Sequence, residues 1–254
     1  MSLSKEPVFS ELRNHFVCGY RDIANEKYAG NSGAHDLKGQ AIETSNGAGS
    51  HNIQMFVLAA DGTVLHCMPG YWNPQDLGSE LRLAEQLGNV WQDAGLSLDQ
   101  KKRDFARMQL DHLRRHSKEL VARSQMQGFD KHHELMKGKA SDALRYVPQA
   151  GEFAEGKVPE EVYKTTDEIM HERMSKRPFV AYASFDTGKY ADYGTHYYDK
   201  HEDNLDEAGK SIDPDAKVVT MREVLNKQRA RNTVSARSAP HVQVKTYGTL
   251  RRMN

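Results

Sequence analysis

The chain of 254 residues has little of what identifies many protein classes at once: cysteine, long apolar runs and net charge. Two cysteines, Cys18 and Cys67, are too few for a disulfide framework, so we expect reduced thiols and a cytoplasmic protein. No window is apolar enough to predict a membrane span, and residues 1–30 hold no apolar run typical of a signal peptide. Basic and acidic residues balance at 35 each, so overall charge favours neither nucleic acid nor a membrane surface.

The clearest pattern that is present is a hairpin followed by a helix. The run from Ile53 to Ala60 is nearly all apolar, as expected of a strand covered on both faces. Asp61-Gly62 then predicts a turn into a second strand, because both residues tolerate positive φ. After the break at Pro69-Gly70, Pro74 opens a helix with one apolar face, formed by Leu77, Leu81, Ala84, Leu87 and Trp91.

Other segments have weaker signals. Ser97 and Gln100 match a capping box and predict a helix that runs to about residue 124. The further predicted elements are helices at 2–15, 130–137, 159–176 and 220–230, a strand at 16–23, and a short strand or extended docking segment at 178–182. We divide the chain into a domain at 1–96, a helical segment at 97–140 and a charge-segregated extension at 141–254.

The order of elements in residues 5–95 resembles the C-terminal half of a thioredoxin-like fold. In that family a redox helix leads to a strand, a helix, a hairpin and a last helix. Residues 12–16 match the end of the redox helix, 16–23 the strand, 53–68 the hairpin and 74–91 the last helix. The resemblance implies an α/β fold, with a thioredoxin-like sheet, flanking helices and a mostly helical, irregular C-terminal extension.

Two features of the thioredoxin-like family are absent from this sequence. No Cys-x-x-Cys motif and no preceding central strand fit before Phe16, and Asn52, Ile53 or Gln54 takes the place of the proline before the hairpin. We therefore expect a non-catalytic interaction module. An incomplete sheet exposes an edge that another chain can cover, so we also expect a protein partner or a homo-oligomer.

A second alignment makes the chain a thiol enzyme or redox sensor. Cys18-Gly19-Tyr20-Arg21 stands where thioredoxins have Cys-Gly-Pro-Cys, with Arg21 in place of the second cysteine. A thiolate at a helix N-terminus beside an arginine would be reactive. This alternative predicts Cys18 and Arg21 as catalytic residues, whereas a buried strand cysteine is the more usual case.

The resemblance implies one binding edge, where the loop before the hairpin meets the turn after it. Glycines there permit close backbone approach, His51 can titrate near neutrality, and Tyr71 and Trp72 offer large amphipathic surfaces. The alternative is that these side chains satisfy local backbone groups. The predicted ligand or partner residues are Asn46, Ser50, His51, Asn52, Pro69, Gly70, Tyr71 and Trp72.

Histidines offer one further possibility. His112 and His116 lie four residues apart on a predicted helix, a spacing that suits a metal site, and His132, His133 and Glu134 are candidates to complete it. With twelve histidines in the chain, chance pairs are common, so a solvated helix face is the default and we expect neither a metal nor another cofactor. His66 and Cys67 are adjacent on a strand and point to opposite faces.

Charges separate near the end of the chain. Residues 185–216 hold nine acidic and three basic residues, a net charge of −6, whereas residues 217–254 hold nine basic and one acidic residue, a net charge of +8. The simplest interpretation is that the blocks pair with each other or lie in solvent. A basic tail that binds nucleic acid or an acidic partner is the alternative.

Overall fold

A computed structural model describes residues 2–30, 44–149 and 158–196, and these residues form a mixed helix-and-sheet structure. The helices are α1 (Val8–His15), α2 (Pro74–Gln92), α3 (Leu98–Arg114), α4 (Lys118–Arg123), α5 (Gly128–Lys137), α6 (Thr166–Ser175) and α7 (Thr187–Tyr190). The strands are β1 (Gln54–Leu58) and β2 (Val64–Pro69). No helix of these ranges is both long and apolar enough to cross a bilayer.

The predicted hairpin is confirmed, although its turn is wider than a two-residue turn. Strands β1 and β2 are antiparallel, with Gln54 opposite Pro69, and the register shifts after Val57. In the turn, the Asp61 carboxylate accepts a hydrogen bond from the Thr63 backbone N–H at 2.9 Å. Only Gly62 has a positive φ in the turn, at 83°, so the aspartate acts through its side chain rather than its backbone.

Strand β2 lies at the centre of the structure. All six of its residues are buried, and helices α2 and α6 both contact it. The segment 178–182 runs beside the hairpin, where the Val64 N–H donates to the Val180 carbonyl at 2.8 Å and the Tyr182 N–H donates to the Gly62 carbonyl at 2.9 Å. The extended segment predicted at 178–182 is confirmed only at Val180 and Ala181, which dock on the hairpin. Phe179 lies in a turn with a φ of 53°, and Tyr182 begins a 3₁₀ turn.

Helices α2 and α3 begin where the sequence predicts. The Asn73 side chain accepts from the Gln75 N–H at 3.1 Å to cap α2, and Ser97 and Gln100 form both halves of the capping box of α3. The predicted long second helix is two helices, however. The chain leaves the helix at Arg115, and the Ser117 hydroxyl accepts from the Leu120 N–H at 3.2 Å to start α4.

The later predicted helices are confirmed in part. Helix α5 matches the prediction at 130–137. The single helix predicted at 159–176 is a short 3₁₀ turn at Glu160–Val162 followed by α6, which begins with a capping box from Thr165 and Glu168. The helix predicted at 220–230 lies outside the described residues.

The strand predicted at 16–23 is wrong. These residues form no helix or strand, and the side chains of Val17 and Tyr20 are fully exposed. A short apolar run is compatible with a strand and with an extended surface segment alike, and only a paired neighbour distinguishes the two. The described residues supply no such neighbour, since the sheet consists of β1 and β2.

One main hydrophobic core joins segments that are far apart in sequence. It contains Leu77 of α2, Phe105 of α3 and Met170 of α6, together with β2. The three predicted divisions of the chain thus contribute one helix each to this core: α2, α3 and α6. Their packing brings together the polar side chains that lie on their inner faces.

Candidate metal centre

Four side chains converge at the centre of this helix layer. They are Glu80, His112, His116 and His171, and their ligand atoms all lie within 4.8 Å of one another. The side chains of Glu80 and His171 are fully buried, His116 is 3% exposed and His112 is 14% exposed. Such a group of donors, removed from water, is what a bound cation requires.

Three helices and one connection position the four residues. Glu80 lies on the buried face of α2, three residues after Leu77 and four before Ala84, on the same stripe. His112 is in the last turn of α3, and His116 is in the α3–α4 connection. His171 is in the middle of α6, seven of whose ten residues are buried.

Glu80 contacts all three histidines of the group. Its Oε1 lies 3.2 Å from His112 Nε2 and 3.3 Å from His116 Nε2, while its Oε2 lies 3.4 Å from His171 Nε2. Ligand atoms around a tetrahedral zinc ion with bonds of 2.0–2.1 Å are separated by about 3.3 Å. The three contacts of the Glu80 carboxylate with the histidine nitrogens are of this size, and all four ligand atoms lie within 4.8 Å of one another.

Outer hydrogen bonds orient two of the histidine rings. His116 Nδ1 lies 2.8 Å from the Asp167 Oδ2, and Asp167 is fully buried in the first turn of α6. His171 Nδ1 lies 2.7 Å from Gln109 Oε1 on α3. A histidine that ligates a metal generally donates its other ring N–H to a carboxylate or carbonyl, which turns the free nitrogen toward the ion.

The inward nitrogens of these two rings are without hydrogen-bond partners. Nε2 of His116 and Nε2 of His171 are both buried and unpaired among the described residues. Buried polar atoms of proteins are nearly always paired, and an unpaired one costs about 1–3 kcal/mol. Both atoms face the Glu80 carboxylate, so a cation between them would satisfy all three groups.

The ionisation states of Glu80 and His171 suit a cation site, whereas His116 must give up a proton before it can bind a metal. Burial opposes ionisation of Glu80, but the surrounding histidines outweigh it and hold the pKa of Glu80 well below its usual range. Burial lowers the pKa of His171 to about 4, so its ring is neutral. Burial also acts on His116, but its hydrogen bond to Asp167 and the nearby Glu80 carboxylate prevail and raise its pKa to about 9.

The sequence predicts part of this group. The pairing of His112 with His116 is seen, but the default interpretation as a solvated face is wrong, because the side chains of His112 and His116 are only 14% and 3% exposed. His132, His133 and Glu134 do not complete the group. Glu134 instead accepts from the Gly194 N–H at 2.8 Å and contacts Lys137 at 3.1 Å.

Sequence reasoning missed Glu80, His171 and Gln109. Each is a polar residue on a buried helix stripe: Glu80 lies between Leu77 and Ala84, and Gln109 lies four residues after Phe105. A charged residue on an apolar helix face is the signal that could have singled out Glu80. His171 had no comparable signal, because α6 is buried on most of its surface.

The predicted binding edge does come together, through backbone hydrogen bonds. The Gly47 N–H donates to the Tyr71 carbonyl at 2.6 Å, and the Tyr71 N–H donates to the Ala48 carbonyl at 2.8 Å. Gly70 has a φ of 73°, and a Cβ there would lie 2.4 Å from the Ala48 carbonyl oxygen. Glycine at position 70 is therefore required for the two loops to meet.

Several polar side chains of this edge are committed to internal contacts. Asn46 donates to Asp76 at 2.7 Å, Ser50 donates to the Ala191 carbonyl at 2.9 Å, and His51 Nδ1 lies 3.1 Å from the Tyr28 carbonyl. Trp72 is buried and donates to the Pro69 carbonyl at 2.8 Å. Asn52, Gly70 and Tyr71 are half-buried.

Cys18 and Arg21 do not form the predicted thiolate site. Cys18 is exposed and follows the C-terminal end of α1, which ends at His15, so it lacks the helix N-terminus that the prediction needs. Arg21 contacts Glu26 and the Tyr182 hydroxyl instead. No helix begins at residue 18, so the helix N-terminus on which this prediction depends is absent.

Cys67 is a buried core residue. Burial raises the pKa of its thiol well above the usual value, and the Tyr190 hydroxyl donates to the Cys67 backbone carbonyl at 2.6 Å. Its neighbour His66 faces Glu80, with His66 Nε2 at 3.0 Å from Glu80 Oε2. The opposite orientation of the two side chains stays a prediction.

A second group of possible ligands lies on the surface between α1 and α2. It comprises Glu11, His15 and Glu85, and His15 Nδ1 lies 2.9 Å from Glu85 Oε1. The side chain of His15 is 52% exposed, so water can satisfy these groups. This group has the character of an ordinary surface ion pair.

Comparison with known proteins identifies no relative of this chain. No protein-family model matches the chain, and neither a curated protein nor a solved structure matches it.

Proposed function

We propose that this protein binds one divalent transition metal ion of the zinc class through Glu80, His112, His116 and His171. The observation that carries the proposal is the pair of buried, unpaired Nε2 atoms of His116 and His171 facing an ionised carboxylate. Three imidazoles and one carboxylate are ligands that suit zinc and its neighbours in the first transition row.

The arrangement favours a structural role for the ion. Four protein ligands fill a tetrahedral shell, whereas catalytic zinc sites keep a position open for water or substrate. The ligands come from α2, α3, α6 and the α3–α4 connection, so the ion fastens segments that are distant in sequence. Metal binding then contributes directly to the stability of the fold.

Metal content and affinity test the proposal. The full chain, treated with chelator and then dialysed against Zn²⁺, is expected to retain about one ion per chain by elemental analysis. His171→Ala and Glu80→Gln each remove one ligand without touching the surface, so binding measured by calorimetry should weaken strongly. His132→Ala, on the exposed side of α5, is the matched control and should bind as the wild type does.

An unmodified chain that retains no zinc, cobalt, manganese or iron would refute the proposal. The cluster would then be a buried network in which protonated His116 neutralises the carboxylates. Equal affinity of His171→Ala and the wild type would place any bound ion elsewhere.

A second candidate function is the non-catalytic, thioredoxin-like interaction module in an oligomer or a larger assembly. The order of hairpin, Pro69-Gly70 turn and α2 supports it, and so does the exposed apolar segment with Val17 and Tyr20. Light scattering on the purified chain tests it. A concentration-independent monomer with no co-purifying protein would contradict this candidate.

Two alternatives from the sequence stay predictions. The redox function would have to use Cys18 as an exposed surface thiol, and alkylation kinetics test its reactivity. Residues 217–254, the basic block with which nucleic acid or an acidic partner could bind, lie outside the described residues. Binding that weakens steeply with salt would support that alternative.

A further inference from the structure

Gln109 lies between two imidazole rings behind the proposed metal centre. Its side chain is fully buried, with Oε1 at 2.7 Å from His171 Nδ1 and Nε2 at 3.3 Å from His66 Nδ1. The rings of His66 and His171 are stacked, with centroids 5.7 Å apart and planes inclined by 20°. One carboxamide therefore contacts the outer nitrogen of each ring.

The two ends of a carboxamide have opposite hydrogen-bonding properties. The oxygen only accepts, so His171 carries its proton on Nδ1 and presents a bare lone pair at Nε2. The amide nitrogen only donates, so His66 Nδ1 is bare and the ring proton is on Nε2. Each ring is thus held in a different tautomer by the same side chain.

The inner nitrogens of the two rings then have different roles. The bare His171 Nε2 faces Glu80 Oε2 at 3.4 Å without a hydrogen bond. His66 Nε2–H donates to the same oxygen at 3.0 Å. His66 is also outside the set of four residues whose ligand atoms lie within 4.8 Å of one another.

We infer that Gln109 is the positioning residue of the metal centre: it makes His171 a ligand and His66 a hydrogen-bond donor that orients the Glu80 ligand. This inference rests on the proposed metal binding. It assigns the centre three histidine ligands rather than four, although a fourth imidazole touches Glu80. The amide accepts a hydrogen bond from one ring and donates one to the other, so the two rings cannot both present a bare Nε2 to the metal. A centre with four histidine ligands is therefore excluded.

The tautomers can be measured in the unmodified protein. In the zinc-loaded full chain, side-chain ¹⁵N NMR should show His171 protonated at Nδ1 with Nε2 bound to metal. It should show His66 protonated at Nε2 and not bound. Identical tautomers for the two rings, or exchanged roles, would overturn the inference without any substitution.

A substitution tests the role of the amide itself. Gln109→Met keeps the length and volume of the side chain but neither donates nor accepts, so it should lower Zn²⁺ affinity about 10- to 100-fold. It should also change the visible spectrum of the cobalt-substituted protein. Gln92→Met, an exposed glutamine at the end of α2, is the control and should change neither.

The outcomes separate the two proposals. Wild-type protein that binds neither Zn²⁺ nor Co²⁺ removes the metal centre and the inference together. Wild-type protein that binds, with a Gln109→Met variant of equal affinity and identical cobalt spectrum, removes the inference alone. Circular dichroism shows whether the metal-free Gln109→Met variant is folded. If it is not, the NMR measurement on the unmodified chain tests the inference.

Discussion

At the scale of single residues, Asp167 illustrates how a side chain outside the ligand set controls a ligand. Its Oδ2 lies 2.8 Å from His116 Nδ1, and both groups are almost fully buried. Asp167→Asn keeps an acceptor for the ring but removes the charge. We expect Zn²⁺ affinity to fall about 10- to 100-fold, because second partners of ligating histidines raise ligand basicity.

Calorimetry with Zn²⁺ measures the effect of Asp167→Asn. The matched control is Asp104→Asn, which removes a carboxylate on the surface of α3 that pairs with Arg107 at 2.7 Å. Equal losses in the two variants would show that general charge, not the contact with His116, controls affinity.

The two cysteines should differ in reactivity by a wide margin. Cys18 is exposed, whereas Cys67 is fully buried in a site that raises the pKa of its thiol. We expect one thiol per native chain to react rapidly with a small maleimide and the second only after denaturation. Peptide mapping identifies the site, and rapid modification of Cys67 in the native chain would contradict the burial.

Residue-level prediction from sequence succeeded where partners are close in the chain. His112 and His116 are one helical turn apart, so their pairing was visible in the sequence. Glu80 and His171 join them only through packing of α2 and α6 onto α3, which no local pattern encodes. A buried position makes a histidine a candidate ligand, and burial is a property of the fold.

At the scale of elements, α5 holds the segment after α7 through carboxylates. Asp130 Oδ1 accepts from the Thr195 N–H at 2.7 Å, and Glu134 Oε1 accepts from the Gly194 N–H at 2.8 Å. Burial is the main cause that raises the pKa of Asp130 to about 7, and the neighbouring Glu134 adds to it. We therefore expect the stability that these contacts of α5 contribute to change with pH near neutrality.

The sign of the pH effect follows from proton binding. Between about pH 4 and pH 7 the folded chain keeps the Asp130 proton, whereas the unfolded chain has lost it, so stability from this group falls as pH rises. Asp130→Asn keeps the acceptor and never ionises. We expect the stability of the variant relative to the wild type to be about 1–3 kcal/mol greater at pH 8 than at pH 5.

Urea denaturation at the two pH values measures this difference. Asp104→Asn again serves as a control, because it removes a carboxylate on the surface of α3. An Asp130→Asn variant whose stability relative to the wild type does not change with pH would show that Asp130 is already ionised in the folded chain at pH 5.

Element boundaries were predictable where local chemistry marks them. The capping box at Ser97 and Gln100, Pro74 and the Asp61-Gly62 turn each act within a few residues, and each marks a confirmed element. The break between α3 and α4 was missed because apolar spacing continues across it from Leu113 to Leu120. The strand at 16–23 was wrong because strands need partners, and sequence alone does not show whether a partner exists.

At the scale of the whole molecule, the metal should govern stability. An ion that binds only the folded chain adds about 4 kcal/mol when its free concentration is 1,000 times its dissociation constant. For a chain of this size we expect Tm to rise by about 10 °C on adding Zn²⁺ and to return with chelator. Differential scanning calorimetry measures the shift.

His171→Ala is the informative comparison for the thermal experiment. It lacks one ligand, so zinc should leave its Tm nearly unchanged, while the exposed His132→Ala variant should respond as the wild type does. An equal zinc response in His171→Ala would mean that the stabilising ion binds outside this centre.

The spread of the four ligands along the chain also affects the order of assembly during synthesis. Glu80, His112 and His116 are made before residue 117, but His171 follows more than fifty residues later. A nascent chain that ends before α6 holds three ligands, and Gln109 then has no His171 to orient. The coordination shell can close only once translation has passed residue 171, so a ribosome-bound precursor offers metal a weaker, three-ligand site.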